Sequence, residues 1–286
     1  MTYSVIEVET DHTLPFPWIG STIRGVFGVG LKRLVCINPT QECEGCFAAL
    51  DCLYYDLYER PHPPYRLEFE LGGELKFKIY LFEKVASKLS YGVAGIFKGL
   101  TQVGVGKDRV KIENLTIKAN GEVAYDGEFK AISATPFTFT PPPYTPNLKI
   151  VFKTPIRVKE DGKLVREGLK LETVLRSVHF RRARLKGEIP TKLPFTPSYN
   201  RIESDLTFVD FARYSNRQRT KMKLGGLMGE MVVEGVDRES FNLLALGELI
   251  GVGKQTTFGL GRIELIPLTS EEVRNEEQGK VSDGGK

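Results

Sequence analysis

The stretch LLALGELIGVGKQTTFGLGRIEL, residues 243–265, runs from an apolar segment at helical spacing through a glycine-rich turn into a short apolar run. Its tetrapeptide Gly251-Val252-Gly253-Lys254 occurs once more, as Gly104-Val105-Gly106-Lys107. That earlier copy also follows a helical stretch, around 86–100, and precedes a strand-like run, RVKIENLTIKA. Read outward from each copy, the chain has the same order twice. In the first half TYSVIEVE alternates as a strand does, and 18–35 places Ile19, Ile23, Val26, Phe27, Leu31 and Leu34 at helical spacing. YRLEFEL and ELKFKIYLF then read as two strands about Gly72-Gly73, a hairpin signal. In the second half NLKIVFKTPIRV is a strand, LKLETVLRSVHFRRARLK a helix, and SDLTFVDFARY and LMGEMVVEG two strands. RESFNLLALGELI is a second helix and FGLGRIELI a last strand.

Each half therefore reads β-α-β-β-α-β. The predicted fold class is α+β, with two tandem ferredoxin-like domains of the kind RNA-recognition modules also use, plus a small cysteine-rich insertion. The first domain is expected over 1–147, with the cysteine module at 36–52 and a proline-rich linker, PFTFTPPPYTPN, at 136–147. The second is expected over 148–268, with a polar, disordered tail from 269 to 286. Glycines in the first helix (Gly20, Gly25, Gly28, Gly30) each cost about 1 kcal/mol relative to alanine, so that helix must depend on close packing.

The chain has 286 residues, of which 41% are hydrophobic and 27% charged, excluding a wholly disordered or collagen-like protein. The amino terminus lacks a basic segment followed by an apolar one, and no apolar run reaches the roughly 18–20 residues of a membrane helix. A cytoplasmic protein with no membrane partner is expected. Its four cysteines, Cys36, Cys43, Cys46 and Cys52, lie within 17 residues at C-x6-C-x2-C-x5-C spacing. Without a secretion signal, such clustering points to metal ligands rather than disulfides. Four thiolates would close around zinc and leave no open position for a catalytic water, so a metal here would be structural.

The formal net charge is only +4, which taken as evenly spread argues against a nucleic-acid partner. The distribution reverses that inference. Residues 176–223 hold twelve basic and four acidic side chains, so this stretch carries +8 and the remainder −4. Arg176, Arg181, Arg182, Arg184, Arg217, Arg219 and Lys221 are candidate RNA contacts within it. Tyr199, Phe211 and Tyr214 lie among these charges and could stack on bases or fill a core. The glycines at 251, 253, 259 and 261, with Lys254 between them, suggest a loop whose backbone N–H groups meet phosphates. It is neither a Walker loop nor a Rossmann fingerprint.

These segments resemble the RAMP superfamily of CRISPR-associated proteins, whose members end in a G-x-G-x5-G-x-G loop. More closely, the chain resembles that superfamily's repeat-RNA-processing endoribonucleases. GSTIRGVFGVGLKRLVC through CLYYDLYE carries the likeness in the first half. SDLTFVDFARYSNRQRTKMKLGGLMGE and LLALGELIGVGKQTTFGLGRIEL carry it in the second. The resemblance implies two ferredoxin-like folds and cleavage of precursor CRISPR RNA within its repeats, with no cofactor for catalysis. It allows other CRISPR effector subunits as partners. The competing reading is a non-catalytic subunit that binds guide RNA.

Metal-free RNA cleavage needs a base for the ribose 2′-hydroxyl, an acid for the leaving 5′ oxygen and cations for the transition state. The products are a 2′,3′-cyclic phosphate and a 5′-hydroxyl. Histidine suits both proton transfers, and the chain has three: His12, His62 and His179. His179 ranks first, flanked at helical spacing by Arg176 and Arg182. His12 ranks second, because the resemblance implies a catalytic histidine near the first helix. His62, in RPHPP, reads as a loop residue. Tyr214, Lys223 and Lys254 complete the candidates, since some members of the superfamily work without histidine.

Overall fold

A computed structural model describes residues 1–38, 42–215, 220–269 and Glu272, with the side chains of 212–215 and 220–223 outside the description. The expected disordered tail therefore lies almost wholly outside the described residues. The chain forms two compact units. The first holds Met1–Phe139 together with Arg184–Glu188 and Thr256–Gly259. The second holds Thr140–Ala183, Ile189–Gln255 and the chain from Leu260 on.

The first unit runs β1 (Thr2–Thr10), α1 (Gly20–Val35), α2 (Leu53–Tyr58), β2 (Tyr65–Phe69), β3 (Phe77–Phe82), α3 (Leu89–Lys98), β4 (Leu115–Ala119), β5 (Glu122–Tyr125) and β6 (Phe137–Thr138). Its antiparallel sheet has the order β2-β3-β1-β4-β5, with β6 paired to the start of β1. The alternation read in TYSVIEVE turns Ile6 and Val8 inward, Ile6 against Gly92 of α3, and Ile23, Phe27 and Leu31 of α1 are buried as well. Burying each such side chain contributes about 1.5–3 kcal/mol.

Gly20, Gly28 and Gly30 of α1 have tertiary reasons, whereas Gly25 is exposed with nothing within 4 Å of a Cβ. At Gly28 a Cβ would stand 2.6 Å from the Tyr58 ring, and at Gly30 it would strike the backbone of Gly95 and Gly99. Helices α1 and α3 thus approach through small residues on both sides. The strands β2 and β3 pair as expected, Phe69 opposite Phe77, but a longer loop than a two-residue turn joins them.

The second unit runs β7 (Leu148–Ile156), β8 (Lys159–Glu160), β9 (Lys163–Leu164), α4 (Leu171–Leu185), β10 (Arg201–Ser215), β11 (Thr220–Glu234), α5 (Arg238–Ile250) and β12 (Ile263–Pro267). Its sheet order, β10-β11-β7-β12, repeats the β2-β3-β1-β4 order of the first unit. Ile150, Phe152, Leu171, Val174, Leu175, Val178, Leu244 and Ile263 form its core. Asp237 caps α5, its carboxylate accepting from the N–H of Ser240 at 2.8 Å and from that of Ser198 at 2.8 Å. Strands β10 and β11 are longest, in register from Arg201↔Glu234 to Ser215↔Thr220, whereas β7 covers β11 only over Leu227–Val233. Past that cover the two strands continue as a ribbon.

Candidate active cleft and nucleic-acid interface

A cleft in the first unit has a volume of about 530 Å³ and is built from three separate segments. α2 and the turn after it contribute Asp56, Arg60 and His62; the turn after β3 contributes Glu83 and Lys84; residues 184–188 contribute Arg184 and Lys186. Asp56 organises one wall. Its side chain is 6% exposed, pairs with Arg60 Nε at 2.5 Å and lies 3.7 Å from Lys84 Nζ. A nearly buried carboxylate thus holds two cations at the rim, and Lys84 also donates to the Leu50 carbonyl at 2.7 Å. Glu83 adopts a left-handed backbone at φ 52°, a costly conformation for a non-glycine residue. Its Oε2 accepts from Thr2 Oγ1 at 3.3 Å, while the buried Oε1 has no hydrogen-bond partner. An imidazole, a carboxylate oxygen and four cations bordering one cleft can hold a phosphodiester and move protons at it.

Sequence reasoning ranked His62 last, yet it is the histidine in this cleft. His179 is half-buried in α4, and its Nε2 is enclosed without a hydrogen-bond partner. His12 is half-buried after β1, its N–H donating to Thr10 Oγ1 at 3.1 Å and its carbonyl accepting from Leu75 at 2.9 Å. Of the predicted RNA contacts on α4, Arg176, Arg182 and Arg184 are exposed. Arg181 is engaged, its Nε donating to the Ile250 carbonyl at 2.6 Å at the end of α5. Tyr199 donates to Glu172 at 3.0 Å, so its hydroxyl serves the fold. Arg217 and Arg219 lie outside the described residues. Tyr214, Lys221 and Lys223 occupy register positions on the β10–β11 ribbon, and their side chains lie outside the description.

The glycine loop differs from its sequence reading. All four glycines have positive φ, 78° to 85°, but the backbone N–H groups are already used. Those of Gly251, Val252, Lys254, Gly259 and Gly261 donate to chain carbonyls, and that of Gly253 donates to Ser177 Oγ at 2.8 Å. A Cβ at Gly253 would stand 2.6 Å from the Arg157 carbonyl oxygen. Close packing accounts for Gly253 and Gly261, against neighbouring backbone, and for Gly259, against the Phe69 ring, while the exposed Lys254 side chain stays available to a polyanion.

Within the first unit, Phe258 lies 4.9 Å from the Arg24 guanidinium, which also covers the Tyr58 ring at 4.6 Å and hydrogen-bonds Tyr65. Burial pushes the Tyr58 and Tyr65 phenols above the usual range, against the opposing pull of Arg24.

None of the four cysteines is in a disulfide; all are half-exposed and border one small cavity with Asn38, Glu42, Ala49 and Tyr55. Burial, and then the Glu59 carboxylate, push the Cys43 thiol up. Among the described residues no group of three or more His, Cys, Asp or Glu side chains is already arranged to hold a metal ion. No helix among them is long and apolar enough to cross a membrane.

Comparison with known proteins agrees with this architecture. Residues 2–137 match the family AF_1859_N, described as an N-terminal domain. Residues 150–263 match the family described as CRISPR-associated endoribonuclease Cas6. An uncharacterized protein of Archaeoglobus fulgidus is 25% identical over 281 residues, covering 88% of this chain and 92% of its own. Among solved structures, one Cas6 product complex has a TM-score of 0.52 at 21% identity, covering 93% of this chain and 100% of that one. A second has a TM-score of 0.55 at 15% identity with the same coverage. Thermus thermophilus Cas6 has a TM-score of 0.51 at 15% identity, covering 93% of this chain and 98% of its own. At these identities the solved structures bear on the fold.

The doubled β-α-β-β-α-β fold is thus similar to that of solved Cas6 structures, and residues 150–263 are similar to the CRISPR-associated endoribonuclease family. The match to the Cas6 family lies within the second half of the chain.

Proposed function

We propose that the protein cuts precursor CRISPR RNA within its repeats, in the cytoplasm, by in-line attack of a ribose 2′-hydroxyl on the adjacent phosphorus. The products are a 2′,3′-cyclic phosphate and a 5′-hydroxyl, and the reacting step uses no metal. The observation that carries this reading is the cleft in which His62 stands with Glu83, Arg60, Lys84, Arg184 and Lys186. His62 takes the 2′ proton, and Arg60 and Lys84, held by Asp56, oppose the charge that builds on the phosphorane. His179 and His12 are the competing bases from sequence, with Tyr214 and Lys223 as groups that could act without histidine. Arg176 and Arg182 on the exposed face of α4, with Lys254, supply sequence-independent grip on the RNA backbone. That two Cas6 neighbours were solved as product complexes supports a substrate of the same kind.

Labelled repeat RNA incubated with the pure protein in EDTA tests the reading. A single cut leaving a cyclic phosphate is expected. Binding without cutting would favour the non-catalytic guide-RNA subunit instead.

A further inference from the structure

Among its described residues the segment between α1 and α2 holds no helix or strand. From Cys36 to Cys52 its described residues form only turns, a length at which a connection without elements of its own calls for a special reason. Its large apolar side chains do not supply a core: Ile37 is 64% exposed, Phe47 87% and Leu50 78%. What the segment does contain is every cysteine of the protein.

Their placement follows a pattern. Cys36 is the C-cap of α1 and Cys52 the N-cap of α2, so two thiols sit on the ends of fixed helices. The other two close a tight turn, with the Cys46 N–H donating to the Cys43 carbonyl at 3.2 Å. Gly45 occupies the third position of that turn at φ 73°, where a type II turn needs a left-handed residue. Nothing lies within 4 Å of a Cβ built there, so the turn and not crowding calls for glycine. Such a turn brings side chains three residues apart to one side. All four thiols border the same cavity of about 30 Å³.

We propose that Cys36, Cys43, Cys46 and Cys52 bind one zinc ion in a tetrahedral, structural centre. Four thiols lose their protons, four Zn–S bonds of about 2.3 Å form, and nothing is oxidised or reduced. Because no three of these side chains are already gathered around one point, ligation draws the loop in across the cavity the thiols border. The ion then supplies the core that Ile37, Phe47 and Leu50 do not. Since Asp56 and Leu50 both hold Lys84, this loop also braces a wall of the cleft.

The test uses the full chain, purified with reductant and loaded with zinc. Elemental analysis is expected to find one zinc per chain, and none in the Cys43→Ser/Cys46→Ser double variant. Cobalt(II) added to the stripped, unaltered chain should saturate at one equivalent. It should give the sulfur-to-cobalt absorption and strong visible bands of a tetrahedral thiolate site. Zinc should also protect all four thiols from Ellman's reagent. The cobalt and thiol measurements need no variant, so they stand whether or not the double variant folds. Thiols equally reactive with and without zinc would overturn the proposal, as would weak octahedral cobalt absorption, recovered disulfides, or iron with inorganic sulfide on these cysteines.

Discussion

The two units share a topology and differ in what interrupts it. In each, the helical stretch before the fourth strand of the shared sheet order ends in a GVGK turn whose first glycine donates back along the chain, Gly104 to Gly99 at 2.9 Å and Gly251 to Gly247 at 2.8 Å. Both glycines have φ just above 80°. In the first unit the chain then closes quickly through the Val105↔Val110 bridge. In the second it returns only at Gly261, which accepts from Val252 after sending Thr256–Gly259 into the first unit. The strands differ too: β2 and β3 have five and six residues, whereas β10 and β11 have fifteen each. The cysteine loop, the turns around His62 and Glu83, residues 184–188 and the β10–β11 ribbon, to which the proposals above assign chemistry or RNA contact, lie largely in the interruptions.

The paired turns allow a direct comparison. Gly253→Ala and Gly106→Ala alter equivalent positions, both with positive φ, but only Gly253 faces a neighbouring backbone. Chemical denaturation should show a loss of about 2–4 kcal/mol for Gly253→Ala, from left-handed strain plus the clash with Arg157. Gly106→Ala should lose only about 1–2 kcal/mol, from strain alone. Equal losses would mean that the longer loop is no more tightly packed than the shorter.

Next in size is the interruption at 184–188. Charge removal in an Arg184→Ala/Lys186→Ala variant should weaken repeat-RNA binding about tenfold and flatten its dependence on salt concentration. A titration over several salt concentrations measures both effects, and unchanged affinity would take this segment out of the interface.

The smallest effect contrasts the caps. Helix α5 has a side-chain cap and α3 has none, so Asp237→Ala should cost about 0.5–2 kcal/mol in thermal or urea unfolding. Burial pushes the Asp237 carboxyl up, but hydrogen bonds from Ser198 and Ser240 outweigh it and hold the group below its ordinary 3.8. A depressed carboxyl adds stability above its unfolded value and loses it as pH falls through the folded one. The gap between the native protein and Asp237→Ala should therefore be full at pH 6 and shrink below about pH 3.8.

The fold was legible because periodicity is local: the stripes of α1 and α4 and the alternation of β1 each lie within one segment. The repeated GVGK exposed the duplication for the same reason. The glycine spacing was legible and its purpose was not. A glycine leaves the same mark whether it admits a phosphate or, as at Gly253, another stretch of the chain's own backbone. The cleft that His62 lines was not legible, because that setting is assembled by folding. Nothing within RPHPP signals that Glu83, Lys84 and Arg184 border the same cleft. His179 stood out through Arg176 and Arg182, yet helical spacing does not report that its Nε2 is enclosed.

Cleavage of labelled repeat RNA in EDTA by the His62→Ala, His179→Ala and His12→Ala variants tests the central claim most directly. Loss of one proton-transfer group should slow single-turnover cleavage at least about a hundredfold. That loss is expected for His62→Ala, with RNA affinity retained, and the other two variants should cut at close to the unaltered rate. Full activity in His62→Ala would contradict the account, and a selective loss in His179→Ala would move the reacting centre to α4.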